Sequence, residues 1–355
     1  MIDMQETFFY KYFIDKIDFG TLAILFCLMG VVAGFDKLGY FDRIASKLVH
    51  RANNVRLLML SVIMSAFFLS MLVTNDVGLI IIVPFTIQVL HTVGRDDKLI
   101  KVVVLETIAA NLGSMLTPVG NPQNVYLYQY YHMNIWAFFR QVMPYAFLSV
   151  VLLSILILSD TQGKNPIVVG KMGGFKRGKS VKKKGCLTLL YIILFAVCLL
   201  TVMDVLHYGF MLIIVTIGLL VSDYRLFRAV NYALLGKFIL LFVVVGNLAE
   251  IPWIGNHLQT LVLGNEFFVG IGLSQCLSNV PTAVILSKFA DNGMELLTGV
   301  NVGGLGTLIA SMASVISLEY YNKTQTAQKR KYITWFTAYN ILFLLILCLL
   351  HMILA

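Results

Sequence analysis

The feature that most constrains this chain is an apolar segment that cannot be one continuous helix. It begins Ala110-Asn111-Leu112-Gly113-Ser114-Met115-Leu116-Thr117-Pro118-Val119-Gly120-Asn121-Pro122-Gln123-Asn124 and closes on Tyr130-Tyr131. Pro118 and Pro122 each remove a backbone donor and obstruct helix closure, while Gly113 and Gly120 loosen the chain further. In hydrocarbon, the backbone groups released by such a break need partners, so it survives only against protein or a wet cavity. The stretch predicts a discontinuous transmembrane helix facing a binding site.

The same feature returns at an ungapped offset of 190 residues. Asn111 pairs with Asn301, Gly113 with Gly303, Thr117 with Thr307, Val125 with Val315, and Tyr130-Tyr131 with Tyr320-Tyr321. Matched broken segments in two halves are the sequence pointer to a transport site at a repeat interface. Composition agrees. Apolar residues form 59% of the chain and charged residues 13%, against about 25% charged in soluble domains. At about 20 residues per span, the chain has room for roughly ten membrane segments and no separate soluble catalytic domain. The net charge of +9 reads as positive-inside loops, not a nucleic-acid surface. Cys27, Cys186, Cys198, Cys276 and Cys348 show no metal-ligand spacing, so neither a transition metal nor a cofactor is expected. No signal peptide is read at the N-terminus.

Charge and hydropathy divide the chain into a first half, 1–159, a basic cytoplasmic linker, 160–185, and a second half, 186–355. The first half holds an interrupted pair at 56–93 and the broken helix at 99–128; the second holds a pair at 266–289 and a broken helix at 295–320. Basic residues flank the first pair on both sides: Lys37, Arg43, Lys47, Arg51 and Arg56 before it, Arg95, Lys98 and Lys101 after it. Charge alone permits two full spans or a re-entrant hairpin. The very short polar turn Thr74-Asn75-Asp76 favours the hairpin, with an Asp near mid-bilayer that costs at least about 3 kcal/mol. The flanks of the second pair, Ile251 to Glu266 and Ala290 to Glu295, contain no Lys or Arg, so it enters from outside. All but Lys11, Lys16, Arg140 and Lys288 of the 27 Lys and Arg then fall in or beside inner loops. The expected fold is an all-α polytopic membrane protein of two inverted-topology repeats, each with a re-entrant helical hairpin and a broken transmembrane helix. Both termini are expected outside, in the cell (plasma) membrane.

Each half thus offers a hairpin tip and a helix break. Helix N-termini at breaks suit an anion, and loosened carbonyls with Asn side chains suit Na⁺. The candidate substrate residues are Thr74, Asn75, Asn121, Ser278, Asn279 and Thr282; the candidate cation or coupling residues are Asp76, Gly120, Asn124, Ala310, Ser311 and Glu106. Asp76 ligates Na⁺ or carries a proton in the functional reading, and is a charge on an outer turn in the bland one. Glu106 is a second carrier or a paired structural carboxylate. Asn75 and Asn279 serve the site, cap the hairpins, or both. Lys288 reads as an interfacial lysine and the tyrosine pairs as interface anchors; His91, His132, His207 and His257 carry no assigned chemistry. These choices predict a secondary transporter of a small anion, coupled to Na⁺ or H⁺. Metalloid efflux, Na⁺/H⁺ exchange and a channel stay open. An intramembrane enzyme is disfavoured because no HExxH or similar pair occurs.

These motifs resemble the ion transporter superfamily of divalent anion–sodium symporters, citrate transporters and arsenite permeases. Thr74-Asn75-Asp76-Val77 resembles the Asn-Asp-Val signature of the arsenite-permease-like branch. Thr117-Pro118-Val119-Gly120-Asn121-Pro122-Gln123-Asn124 is similar to the superfamily's Thr-Pro-x-Gly-x-Pro-x-Asn, and Ser278-Asn279-Val280-Pro281 to its second hairpin motif. The resemblance implies that Asn75 and Asn279 serve substrate and Na⁺, with Thr74, Gly120, Ser278 and Ala310 nearby. It also implies an elevator-like movement and a homodimer. Asp76 and Val280 stand where dicarboxylate symporters carry threonine. An ionised Asp76 opposes a carboxylate ligand unless a proton or Na⁺ neutralises it.

Overall fold

The structure, a computed structural model, describes residues 10, 12–40, 43, 52–160 and 184–354. Lys11, Lys47, Arg51 and the body of the basic linker lie outside the described residues. Among those described the chain is all helix: α1 Phe19–Lys37, α2 Val55–Ser70, α3 Asn75–Thr92, α4 Leu99–Ser114, α5 Pro122–Tyr130 and α6 Ile135–Leu158, then α7 Lys184–Val202, α8 Tyr208–Asp223 and α9 Tyr232–Leu248. There follow α10 Pro252–Val262, α11 Glu266–Leu277, α12 Asn279–Leu286, α13 Gly293–Val302, α14 Met312–Asn322 and α15 Lys329–Leu354. Six are long and apolar enough to cross a membrane: α1, α3, α6, α7, α8 with the 3-10 turn after it, and α15.

Local chemistry sets the helix starts. The Asp18 side chain accepts from Thr21 N at 2.9 Å to open α1, and Asn54 accepts from Leu57 N at 2.8 Å to open α2. The two interrupted segments break between Ser114 and Pro122 and between Val302 and Met312. The arms of the second pair hold 12 and 8 residues, so they reach about 18 and 12 Å, well short of a hydrocarbon core of about 30 Å. The segment after Ile251, which sequence analysis treats as a flank, forms the additional helix α10.

α4 is the centre. Every residue from Val102 to Ser114 is buried, as expected of a helix apolar around its whole circumference. It packs against α2, α3, α6, α14 and α15. The other interrupted helix has matching neighbours, α11 and α12 against α13. Contacts also exchange between the halves, with α3 lying on α14 and α12 on α5. α1, α7 and α8 form a flanking group that reaches the centre through α5.

Side chains fasten the halves together. Thr107 Oγ1 donates to Ser317 Oγ at 2.7 Å, and Tyr131 OH donates to the carbonyls of Ser287 and Ala290 at 3.1 and 2.8 Å. Tyr321 is buried and stacks on Tyr332 with ring centroids 4.8 Å apart. Tyr131 and Tyr321 therefore act in packing between helices, which differs from the interface-anchor reading of the sequence. Beyond the end of α6, Asp160 accepts from Lys98 and Lys101, both at 3.1 Å, while Arg56 Nη2 donates to the Asp160 carbonyl at 2.7 Å. Burial opposes charge on Asp160, but the hydrogen bonds from Lys101 and Lys98 prevail and hold its carboxyl below the ordinary value.

Two measurements test this packing. A Cβ at Gly113 would sit 2.2 Å from the Phe67 carbonyl oxygen, whereas one at Gly236 meets nothing within 4 Å. Gly113→Ala should cost about 1–3 kcal/mol and lower the melting temperature in detergent; Gly236→Ala should leave it unchanged or raise it. Asp160→Asn should lower stability by about 2 kcal/mol at neutral pH. Because the folded carboxyl titrates below its unfolded counterpart, the wild-type advantage is complete above the unfolded value. It should vanish as pH falls through the folded one, so melting curves of the two proteins should converge in acid.

Candidate functional site

Each hairpin tip docks on the helix break of its own half through a backbone hydrogen bond. Asn75 N donates to the Gly120 carbonyl at 3.1 Å, and Asn279 N donates to the Ala310 carbonyl at 2.9 Å. A threonine reinforces each junction: Thr117 Oγ1 donates to the Met71 carbonyl at 2.5 Å and Thr307 Oγ1 to the Gln275 carbonyl at 3.0 Å. Gly120 permits the first approach, since a Cβ there would lie 2.0 Å from the Ser114 carbonyl oxygen.

The breaks release backbone carbonyls, and side-chain amides satisfy them. Asn124 Nδ2 donates to the Thr117 carbonyl at 2.9 Å, with longer bonds to those of Ser114 and Met115. In the second break the work falls to Gln275, whose Nε2 reaches the Gly303 and Leu305 carbonyls at 3.0 Å while Oε1 accepts from Thr307 N. Between the breaks runs a buried amide network. Asn75 Nδ2 and Ser311 Oγ both donate to Asn111 Oδ1, at 2.9 and 3.0 Å. Asn121 Nδ2 donates to Asn301 Oδ1 at 2.8 Å, and Asn301 Nδ2 to Asn124 Oδ1 at 2.7 Å. The cross-half pairs Asn121–Asn301 and Ser311–Asn111 are partners of one another at the offset that relates the two interrupted segments.

A cavity of about 280 Å³ opens beside this network. The first residues of four helices line it: Asn75 and Asp76 of α3, Pro122 and Gln123 of α5, Asn279 and Val280 of α12, and Met312 of α14. Each N-terminus carries about half a positive charge, although several of its N–H groups are already taken, those of Asn75 and Asn279 by the break carbonyls and that of Asp76 by Asn75 Oδ1, so the cavity favours an anion through its potential. Its charged lining side chains are Asp76 and Lys237, the latter from α9. Ser278 also lines it, with φ 75° and ψ 154°, a backbone region essentially reserved for glycine that costs about 1–3 kcal/mol.

Of the candidates drawn from sequence, Asn75, Asp76, Ser278, Asn279 and Ser311 line this cavity. Gly120 and Ala310 supply the carbonyls on which the tips rest. Asn121 and Asn124 belong to the amide network. Thr74 lines a smaller neighbouring cavity with Val77 and Val119, and Thr282 Oγ1 donates to the Ser278 carbonyl at 2.8 Å within the hairpin. Glu106 is fully buried away from the cavity, accepting from Thr86 Oγ1 at 2.5 Å. Lys288 sits over the Tyr130 ring at 4.7 Å. Sequence reasoning missed Gln123, Lys237, Asn111 and Asn301 as site residues. Asn111 and Asn301 carried a signal in their matched positions; Lys237 carried none that separates it from an interfacial lysine.

The network predicts energetic coupling between the halves. Asn121→Ala and Asn301→Ala should each cost about 1–3 kcal/mol by stranding buried polar partners. The double variant should cost clearly less than their sum in a thermal-unfolding cycle.

A family model describing citrate transporters matches residues 1–305. An uncharacterized transporter of Methanocaldococcus jannaschii is 32% identical over 309 residues, covering 86% of this chain and 82% of its own length. The inner membrane protein YbiR of Escherichia coli is 31% identical over 315 residues, covering 86% of this chain and 81% of its own. A silicon efflux transporter of Oryza sativa is 32% identical over 111 residues, 31% of this chain and 22% of its own.

Proposed function

The chain belongs to the citrate transporter family, and on that footing we propose that it is a secondary active transporter of a small anion, most simply a carboxylate, coupled to Na⁺ or H⁺ and working by alternating access. It is an integral membrane protein, and its family and relatives are transporters. The observation that carries the reading is the convergence of four helix N-termini and two opposite charges on one cavity. The anion is drawn by the positive ends of α3, α5, α12 and α14, with Asn75 and Asn279 at two of those starts. Asp76 takes the cation. With Asp76 ionised, an anion in the same cavity is repelled; Na⁺ or a proton on Asp76 removes the repulsion, and the two ligands bind together.

We read the two halves as inverted repeats and the two hairpins as re-entrant, in the cell membrane, with both termini outside and two copies as a homodimer. The exchanged contacts of α3 with α14 and α12 with α5 support the first of these readings, and the short arms of α11 and α12 support the second for the second hairpin alone, since α3 is itself long enough to cross. Alternating access then requires one tip at a time to leave its break, parting Asn75 from Gly120 or Asn279 from Ala310. The similarity to a silicon efflux transporter favours a second reading, export of a small metalloid acid such as arsenite or antimonite against protons entering through Asp76.

Proteoliposomes loaded against a Na⁺ or a proton gradient, offered labelled citrate, succinate or arsenite, discriminate these. Wild type should accumulate one anion class in a gradient-dependent way. Asp76→Asn should reduce gradient-driven accumulation at least about tenfold while the protein still elutes as a folded species. Normal coupling in that variant would refute the role given to Asp76.

A further inference from the structure

α9 turns one stripe toward the cavity. Leu234, Lys237, Phe238 and Leu241 recur at helical spacing and all line it. Three of the four are apolar, which suits a greasy wall; Lys237 breaks the pattern. It belongs to neither hairpin and neither interrupted helix, yet it is the cationic member of a lining that also contains both hairpin tips. A lysine kept only to reach the membrane surface has no need to face them. The Lys237 side chain is exposed and not packed away, so the ammonium stands open to whatever enters the cavity.

Asp76 is the carboxylate in the same lining. The two sit on different walls, and among the described residues they do not form an ion pair. A cavity walled by one carboxylate and one ammonium, held apart, is matched by an anion beside the ammonium and a cation beside the carboxylate. The four helix N-termini reinforce the first and leave the second to Asp76.

We propose that Lys237 is the specificity-determining charge of this cavity, binding a carboxylate group of the substrate from the α9 wall and so leaving Asp76 to the coupling cation. This rests on the anion-transport reading above. It adds a residue outside the hairpin motifs and a selection rule: affinity rises with the number of carboxylates. While the anion is absent, Lys237 is the counter-charge felt by Asp76. An arriving carboxylate claims that field, and the Asp76 site becomes more attractive to Na⁺ or a proton. Anion and cation then bind with mutual preference, which is the thermodynamic condition for coupling.

The test uses the purified full-length protein and its melting temperature in detergent, titrated with citrate, succinate and acetate. Wild type is compared with Lys237→Gln, Lys237→Arg and the remote control Lys323→Gln, whose ammonium lies over the Tyr320 ring at 5.0 Å. Lys237→Gln should weaken apparent citrate affinity by about tenfold or more, succinate less and acetate least. Lys237→Arg should stay within about threefold of wild type, since the charge is kept, and Lys323→Gln should match it. If Lys237→Gln does not fold, Lys237→Met, which keeps the apolar stem beside Phe238, carries the same expectation. Unchanged citrate affinity, or an equal loss for all three anions, overturns the assignment of Lys237 and leaves the transport reading standing. Failure of every anion to protect the wild type overturns the transport reading, and this assignment with it.

Discussion

A backbone carbonyl without a donor inside hydrocarbon costs several kcal/mol, and two helices that stop midway create a cluster of them. The rest of the structure follows from how that cost is met. Water would solve the problem but would also open a leak. The chain instead places side-chain amides inside the gaps: Asn124 at one break, Gln275 at the other. Amides need partners of their own, which the chain of Asn75, Asn111, Asn121, Asn301 and Ser311 supplies. The network can form only where backbones approach closely, and this explains the glycine in each interrupted helix against its hairpin arm. The Phe67 carbonyl stands against Gly113, and Ser274 and Ile271 stand against Gly303.

The same geometry sets the electrostatics of the cavity. A helix that restarts inside the molecule brings a fresh N-terminus with it, and both interrupted helices and both hairpins restart at one place. Positive potential thus comes mainly from backbone, which is fixed in position and needs no reorganisation. The charged side chains then differentiate the walls, with Asp76 on α3 and Lys237 on α9. Dipoles make the cavity receptive to anions in general, and the two charged side chains make one wall unlike the other.

Much of this was legible in the residue order, and the reasons are physical. α3 and α6 each run unbroken through one proline, Pro84 and Pro144, but Pro118 and Pro122 stand four residues apart with Gly113 and Gly120 beside them, which weighs against a continuous helix enough for the break after Ser114 to be read without a structure. The interruption at Thr74-Asn75-Asp76 was legible because three polar residues break an otherwise apolar run, although the turn itself spans 71–74 and Asn75 and Asp76 open α3. Lys237 was not, because a lone lysine near a helix end has the same local signature whether it faces lipid headgroups or a cavity; only the packing of α9 on α12 distinguishes the two. Glu106 is a different case. Sequence offers a carrier or a paired structural carboxylate, and the fold buries it against Thr86 without deciding between the two. Thr282 likewise bonds within its own hairpin, a one-turn contact that sequence cannot separate from ligand binding. Side-chain direction around a helix is a tertiary property, and these residues are where it decided the outcome.

The two hairpin tips are built alike in their docking bonds and unlike in their backbones. Thr74 holds an ordinary extended conformation, φ −59° and ψ 149°, whereas its counterpart Ser278 holds φ 75°. Only the second tip is a loaded spring. Letting it relax returns about 1–3 kcal/mol, a roughly 5–150-fold weighting of one arrangement over another, while letting the first relax returns nothing comparable. However alike the two tips are in their docking bonds, the strain sits at one of them alone.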